Sequence, residues 1–296
     1  MRTLEWGSRT YIMGIINITP DSFSGDGVMV GGDLVADSLQ IAEGFIRDGA
    51  DILDLGAESS RPGAQPVPLE EEKQRLMPVL KAIRQAFPDI LISVDTCKAQ
   101  TADACLSSGA DWINDIYGLK GDPQMARVVA DHHASVIIMH NRSQAAAVAD
   151  HDRLGRSYQA ADYGDIIHDI REDLNVSLQI AGEAGIPAGS IILDPGLGFG
   201  KSVAHNLEII NRLGELREAG CPLLIGPSRK SFIGLTLDLP VEERLEGTAA
   251  VVAIGIAHGA DIIRVHDIHP MARVARMADA IIRKTGQAVQ PDHPAA

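Results

Sequence analysis

The chain has 296 residues, with 26 Lys and Arg against 40 Asp and Glu, so its formal net charge at pH 7 is −14. This acidic balance argues against non-specific binding to nucleic acid or to anionic membranes, because both require a basic surface. The 3 cysteines (Cys97, Cys105 and Cys221) form no CxxC pair, which excludes a disulfide framework and a thiolate zinc site. No apolar run reaches the roughly 18 residues of a membrane span, which excludes a spanning helix.

Near-continuous apolar runs recur along the whole chain, as is typical of parallel strands buried on both faces. They predict strands over 11–18, 51–56, 90–95, 112–116, 135–140, 190–194, 222–226 and 261–266. Amphipathic patterns between them predict helices over 33–48, 69–87, 99–108, 123–132, 164–183, 203–218, 241–258 and 270–284.

Glycine marks the end of several predicted helices, in the dipeptides at 49–50, 109–110, 184–185, 219–220 and 259–260. Glycine just past a helix supplies the left-handed cap.

The strand–helix alternation predicts an α/β fold, a single-domain (β/α)8 TIM barrel over 1–287, with a doubly wound open sheet as the alternative. Segment 141–163 is polar with little strand character and predicts an extended loop, with or without a short helix. Segment 288–296 predicts a frayed tail. Residues 1–10 lack the apolar stretch of a signal peptide, so we expect a cytoplasmic protein.

Polar residues follow every predicted strand, where a barrel carries its active site. A single one of them is usually a turn former, but eight strand ends together predict a ring of functional groups. Asp95, Asn114 and Asp194 would form a floor that reads the donor edge of a heterocycle. Arg264 and His266 stand two apart on one strand and share a face, which suits a phosphate or pyrophosphate, and Lys230 would add a mobile charge.

Three glycine-rich loops lie beside this ring. The sequence 196–202 (GLGFGKS) is neither a Walker A motif nor GxGxxG, because Pro195 and Lys201 occupy glycine positions. We interpret it as a flexible loop near the ligand. The loops 19–32 and 58–67 predict two lids that close over a substrate and exclude water.

Together and in order, these motifs identify a resemblance to the pterin-binding dihydropteroate synthase family. They read GIINITPDSFS (14–24), DLGAESSRPGA (54–64), ISVDT (92–96), INDI (113–116), ILDPGLGFGK (192–201), GPSRKSFIG (226–234) and IIRVHD (262–267). The resemblance runs from the first strand to the last helix. It implies that a pterin bearing a pyrophosphate arm is attacked by p-aminobenzoate, with Mg2+ assisting, to give dihydropteroate and pyrophosphate in folate biosynthesis.

The resemblance also implies a role for each matching residue. Those matching Asp95, Asn114, Met139, Asp194 and Lys230 bind the pterin in that family. Those matching Asn17, Arg264 and His266 hold the pyrophosphate, and Asn17 also reaches Mg2+. Those matching Ser60, Arg61, Pro62, Phe199, Lys230 and Ser231 shape the p-aminobenzoate pocket. The catalytic set is therefore expected to be Lys230, Asp95, Asp194, Arg264 and His266.

The family mechanism resembles SN1, in that the C–O bond breaks before the amine attacks. Closed lids would keep water from the resulting cation. The first lid departs from the family, since its acid is Asp26 in SFSGDG rather than the preceding residue, and Ser60 replaces a common Thr. The loop around Phe199 matches sulfonamide-sensitive enzymes, so sulfonamides are expected as competing ligands.

Two other functions stay open on the sequence. A corrinoid-linked pterin methyltransferase would share the acceptor floor but would not need the SRKS motif or the Arg264–His266 pair. A pterin-binding paralogue without turnover would keep these residues behind an altered first lid.

A homodimer is expected through apolar faces on the last two helices. Packing of the same residues on the barrel is an equally good explanation of this pattern (Val251, Val252, Ile254, Ile256, Met271, Val274, Met277 and Ile281).

Overall fold

The computed structural model describes residues 4–18 and 33–283. Its strands are β1 (Tyr11–Asn17), β2 (Ile52–Gly56), β3 (Leu91–Asp95), β4 (Trp112–Asp115), β5 (Ser135–Met139), β6 (Val148–Asp150), β7 (Arg156–Tyr158), β8 (Ile191–Asp194), β9 (Leu224–Ile225) and β10 (Ile262–Val265). Its helices are α1 (Leu34–Asp48), α2 (Leu69–Ala86), α3 (Ala99–Ser107), α4 (Met125–Asp131), α5 (Ile166–Ala184), α6 (Val203–Asn211), α7 (Ser231–Leu237), α8 (Leu245–Ala257) and α9 (Ile268–Ile282).

Eight of the strands form one sheet in the order β8-β5-β4-β3-β2-β1-β10-β9. All of its neighbouring strands are parallel. A parallel bridge between Leu193 and Leu223 joins the two edge strands, and the Leu193 amide donates to the Pro222 carbonyl over 3.0 Å. The sheet therefore closes into the predicted (β/α)8 barrel, and the open-sheet alternative is not adopted.

The barrel interior is filled by one side chain in two from each strand, as strand pleating requires. The lowest inward layer is apolar and is closed from below by Leu4 and Trp6; it consists of Tyr11, Met13, Ile52, Leu91, Trp112, Ile137, Ile192, Leu224 and Ile262. The alternate residues face outwards and pack against the helices. Two residues after the lowest layer, on the same inward face, β2, β4, β8 and β10 place polar side chains (Asp54, Asn114, Asp194 and Arg264). The charged side chains of this inward face therefore stand towards the carboxyl end of the barrel.

The opposite end of the barrel is tied together by a repeated Gly-Ala-Asp sequence. Each aspartate precedes a strand and accepts a hydrogen bond from a backbone amide of a neighbouring strand: Asp51 from Ile12 (2.9 Å), Asp111 from Ile92 (2.9 Å) and Asp261 from Leu223 (3.0 Å). Each also pairs with an arginine (Arg9, Arg84 and Arg217). The glycines at 49, 109 and 259 adopt positive φ, so the predicted left-handed conformation after the helix is confirmed there.

The structure corrects three predictions. Segment 141–163 contains a short antiparallel hairpin, β6–β7, whose strands are too short and polar for a periodic signal. The predicted helix over 203–218 ends at Asn211 and continues as a 3-10 turn (Leu213–Ala219) that contains Gly214, a poor helix former. The predicted helix over 241–258 starts only at Leu245, and the short α7 before it was not predicted.

The end of the proposed domain at 287 and the tail 288–296 lie outside the described residues, so that boundary stays a prediction. Among residues 4–18 and 33–283, none of the helices combines the length and apolarity that crossing a bilayer requires.

Candidate active site

The floor of the barrel mouth is built around the Arg264 guanidinium, which is held by two carboxylates. Its Nε donates to Asp54 Oδ2 over 2.6 Å, and its Nη2 donates to Asp95 Oδ2 over 2.7 Å. Asn114 Nδ2 donates to the same Asp54 oxygen over 3.2 Å. The structure thus brings together Asp95 and Asn114 of the predicted floor. It adds Arg264, which was predicted with His266 for the pyrophosphate, and it fixes the planar guanidinium in one orientation.

Burial dominates the electrostatics of this floor. It raises the pKa of Asp95 to about 7, an effect that Arg264 opposes and the nearby Asp54 carboxylate reinforces. Once Asp95 is ionised, two carboxylates face one guanidinium and leave an excess of negative charge in a largely enclosed space. Such a site favours a ligand that presents hydrogen-bond donors or positive charge.

Asp194 and Lys230 stand on the other side of the mouth. Asp194 Oδ1 accepts a hydrogen bond from the Gly196 amide over 2.7 Å, and the Lys230 ammonium donates to the Leu197 carbonyl. Burial lowers the pKa of Lys230 to about 8, while the Asp194 charge counteracts that change. Burial also raises the pKa of Asp194. Met139 is the register neighbour of Asp194 and is buried, so it lines the same wall as predicted.

The predicted pyrophosphate residues lie at the ends of β1 and β10. Asn17 ends β1 beside Gly56, which in turn pairs with Asp95. His266 follows β10 on the face of Arg264, and its Nδ1 lies 3.0 Å from the Ser228 hydroxyl. The described residues contain no cluster of three or more His, Cys, Asp or Glu side chains that would hold a metal ion on its own.

Two of the predicted arylamine residues, Phe199 and Lys230, are in direct contact. The Lys230 Nζ lies 4.6 Å from the centroid of the Phe199 ring. Ser231 begins α7 directly after Lys230. Ser60 and its neighbours Arg61 and Pro62 belong to the second predicted lid, whose carboxyl end is fixed where the Val67 amide donates to Glu58 Oε2 over 3.2 Å. The first predicted lid, including Asp26, lies outside the described residues.

A buried polar chain supports the Phe199 loop from behind. Lys201, which is 4% exposed, places its Nζ 2.9 Å from His140 Nδ1 and 3.0 Å from the Phe199 carbonyl. His140 Nε2 lies 3.0 Å from Asp173 Oδ2, which also accepts from Arg142. Burial, reinforced by the Lys201 charge, lowers the pKa of His140 to about 3, and burial lowers the pKa of Lys201.

No role in the site was predicted for Asp54, or for Ser228 beyond its place at the end of the seventh predicted strand. Asp54 was detectable, since it stands two residues after Ile52 on the inward face of a strand. The contact of Ser228 with His266 could not be predicted, because only the folded chain brings these two residues together.

The comparisons with known proteins agree with this geometry. A family model described as "Pterin binding enzyme" matches residues 13–266. The dihydropteroate synthase of Bacillus subtilis is 44% identical over 283 residues, which cover 96% of this chain and 92% of that protein.

Two solved structures extend the similarity to the fold. A dihydropteroate synthase from Clostridium difficile, solved in the presence of pteroic acid, superposes with a TM-score of 0.85 at 42% identity over 95% of this chain and 100% of that chain. The Yersinia pestis enzyme, solved in complex with a sulfonamide drug, gives a TM-score of 0.85 at 37% identity over 95% and 96% of the two chains. The chain therefore belongs to the pterin-binding enzyme family and, within it, to the dihydropteroate synthases.

Proposed function

We propose that the mouth of this barrel condenses a pterin pyrophosphate with p-aminobenzoate, with the pterin seated on the Asp54–Arg264–Asp95 floor. This assignment rests on one observation: the Arg264 guanidinium of β10 pairs with the carboxylates of Asp54 on β2 and Asp95 on β3. Asp95, Asn114 and Asp194 supply oxygens for the donor edge of a pterin. Lys230 approaches from the opposite wall and Met139 packs beside Asp194.

The pyrophosphate arm would lie towards Asn17, His266 and the outer edge of Arg264. A divalent cation fits this arrangement, because Mg2+ is commonly held by one or two protein oxygens together with substrate phosphates and water. The Asn17 amide oxygen at the end of β1 is the donor that the described residues offer, so Mg2+ would arrive with the substrate. When bound, it neutralises charge on the leaving pyrophosphate.

The geometry supports a dissociative reaction in which the pterin carbon loses pyrophosphate before it gains the amine. The excess carboxylate charge of the floor stabilises positive charge on the pterin. Arg264 and His266 stabilise the negative charge that builds on the departing group. An aromatic amine attacks such a cation without a strong base, and none of the side chains named here is needed as one.

The arylamine subsite would be the space bounded by Phe199, Lys230, Ser231 and the loop of Ser60, Arg61 and Pro62. The aromatic face of Phe199 suits a benzoate ring, and the cationic side chains suit its carboxylate. A sulfonamide presents the same aromatic amine with an acidic group opposite. We expect it to compete with p-aminobenzoate and not with the pterin.

The assignment is tested by measuring dihydropteroate formation in Asp95→Asn against Asp51→Asn. Both changes remove one carboxylate charge that pairs with an arginine, the first at the barrel mouth and the second at the opposite end. We expect kcat/KM to fall about 100-fold or more in Asp95→Asn and to stay within about twofold in Asp51→Asn. Equal kinetics for the two variants would contradict the assignment.

We propose that two chains associate through α8 and α9. On these helices Ile254, Met277 and Ile281 are 47%, 62% and 65% exposed, whereas Val252 and Met271 are buried against the barrel. Adjacent exposed apolar side chains on neighbouring helices are typical of an interface. Sedimentation equilibrium should show a dimer that Met277→Glu converts to a monomer, whereas Leu207→Glu, at a residue 45% exposed on α6, leaves the dimer intact. A monomeric wild type would contradict the proposal.

A further inference from the structure

The segment between β5 and α5 is fixed to the Phe199 loop at its base. Gly200 has φ +66, and a Cβ there would lie 2.7 Å from the Arg142 carbonyl carbon and from the Ser143 amide nitrogen. The Ala161 amide donates to the Gly200 carbonyl over 2.9 Å. Both ends of the segment therefore meet at one glycine that no larger residue can replace without displacing them.

The tip of the β6–β7 hairpin is fixed as well, at the far side of the mouth. Arg244 is 2% exposed, and its Nη2 donates to the Leu154 carbonyl over 2.8 Å. Arg153 Nη1 donates to the Asp238 carbonyl over 3.0 Å, just past the end of α7. With contacts at base and tip, the hairpin is a fixed wall and not a free loop.

Tyr158, the last residue of β7, connects this wall to the arylamine residues. Its ring stacks on Phe199 with centroids 5.9 Å apart and an interplanar angle of 27°. Its hydroxyl donates to the Ser60 carbonyl over 3.1 Å. Since Phe199 also lies against the Lys230 ammonium, one continuous line of contacts runs from the second lid to Lys230.

We propose that Tyr158 is a positioning residue of the arylamine subsite. It sets the plane of the Phe199 ring and the position of the Ser60 loop for a primary aromatic amine. This inference rests on the proposed function, because it assigns a wall to the same subsite. The pterin floor is built from other strands, and within the part of the chain that the structure describes its side chains hydrogen-bond to one another and not to Tyr158. The effect should therefore fall on the amine and leave the pterin unaffected.

The chemistry of the phenol suits this role. Burial raises the pKa of Tyr158, so its hydroxyl remains a neutral donor to the Ser60 carbonyl across the working range of pH. An offset aromatic pair restricts the tilt of both rings. A Phe at this position would keep the stack and lose the hydrogen bond, whereas an Ala would lose both.

Tyr163 provides a matched control within the same segment. Its ring packs edge-on against His205 at 5.0 Å and lies 4.8 Å from the Arg142 guanidinium, away from Phe199. Its hydroxyl is buried and has no hydrogen-bond partner among the described residues. Loss of that hydroxyl should leave both folding and catalysis unchanged.

The experiment compares Tyr158→Ala, Tyr158→Phe and Tyr163→Phe with the wild type, measuring KM for each substrate, kcat, sulfonamide inhibition and unfolding by urea. In Tyr158→Ala we expect KM for p-aminobenzoate and the sulfonamide Ki to rise about tenfold, at unchanged KM for the pterin pyrophosphate. Tyr158→Phe should show a rise of about threefold, from the lost hydrogen bond, and Tyr163→Phe no change.

Two kinds of result would overturn the inference. Unchanged KM for p-aminobenzoate in Tyr158→Ala would show that the wall does not position the subsite. Equal increases in KM for p-aminobenzoate and for the pterin pyrophosphate would show that Tyr158 has a purely structural role. A fall in stability large enough to account for the lost activity would show the same. A wild type that forms no dihydropteroate would refute the proposed function itself, which this comparison distinguishes from failure of the inference.

Discussion

Replacing Asp54 by Asn would change the charge of the floor while keeping its shape. Asp54 is fully buried, and one of its oxygens accepts from both Arg264 and Asn114. Breaking a buried ion pair by removing one partner costs about 3–5 kcal/mol, and the lower end applies here because Asp95 still faces the guanidinium. With an m-value of about 3 kcal/mol per molar, the urea midpoint should fall by about 1 M.

The same substitution should change the pH dependence of the reaction. The Asp54 charge contributes to the raised pKa of Asp95, which is about 7 in the wild type. Its removal lowers the pKa of Asp95, so this group becomes ionised at lower pH. If the ionised form binds the pterin, the acid limb of kcat/KM moves to lower pH in Asp54→Asn.

The assay combines urea unfolding with steady-state kinetics between pH 5 and 9, and Asp111→Asn serves as the control. Asp111 also pairs with an arginine, over 2.6 Å, but at the opposite end of the barrel and partly exposed. That variant should lose about 1 kcal/mol or less and keep the wild-type pH profile. If Asp54→Asn matched Asp111→Asn in both stability and profile, the reasoning about the floor would be refuted.

Further predictions concern the remaining side chains. Burial places the pKa of Lys230 at about 8, so activity should decline above that pH as the ammonium is lost, and Lys230→Arg should shift this limb upwards in a pH–rate profile. The folded chain keeps His140 neutral, with burial and then Lys201 lowering its pKa to about 3, while the unfolded chain binds a proton below about 6.5. As the pH is lowered from 6 to 4, protonation of this group in the unfolded chain should therefore reduce the unfolding free energy by at most about 1.4 kcal/mol per pH unit. Urea titrations of His140→Gln should lack this contribution to the slope. Gly196→Ala should fold poorly, because φ is +67 and the new Cβ would lie 1.9 Å from the His140 carbonyl oxygen, whereas Gly189→Ala, with open space around it, should melt as the wild type. Chelation of Mg2+ should abolish turnover and leave the thermal midpoint unchanged, since the cation is expected to arrive with substrate.

The barrel itself could be predicted from the sequence because its strands are buried on both faces and its helices end at glycine. The same period of two that fills the bottom layer with Ile52 and Ile192 also points Asp54 and Asp194 into the mouth. Arg264 was predicted to bind pyrophosphate. Its two carboxylate partners were not predicted as such, because pairing across the barrel depends on closure and leaves no local pattern.

The β6–β7 hairpin could not be predicted from the sequence. Each of its strands has three residues, with no apolar alternation to reveal them. The contacts that fix it are made by Arg244 and Gly200, which are distant in sequence, and by backbone carbonyls that any residue supplies. Tyr158 therefore became a candidate only when the fold placed it on Phe199.

Synthase activity at this barrel mouth is best tested by measuring pyrophosphate release from the pterin pyrophosphate. The wild type and Lys230→Ala are compared, with and without Mg2+ and p-aminobenzoate. We expect release that requires Mg2+, yields dihydropteroate when p-aminobenzoate is present, and falls by about two orders of magnitude or more in the variant. Pterin binding without any release by the wild type, or full activity in Lys230→Ala, would contradict it.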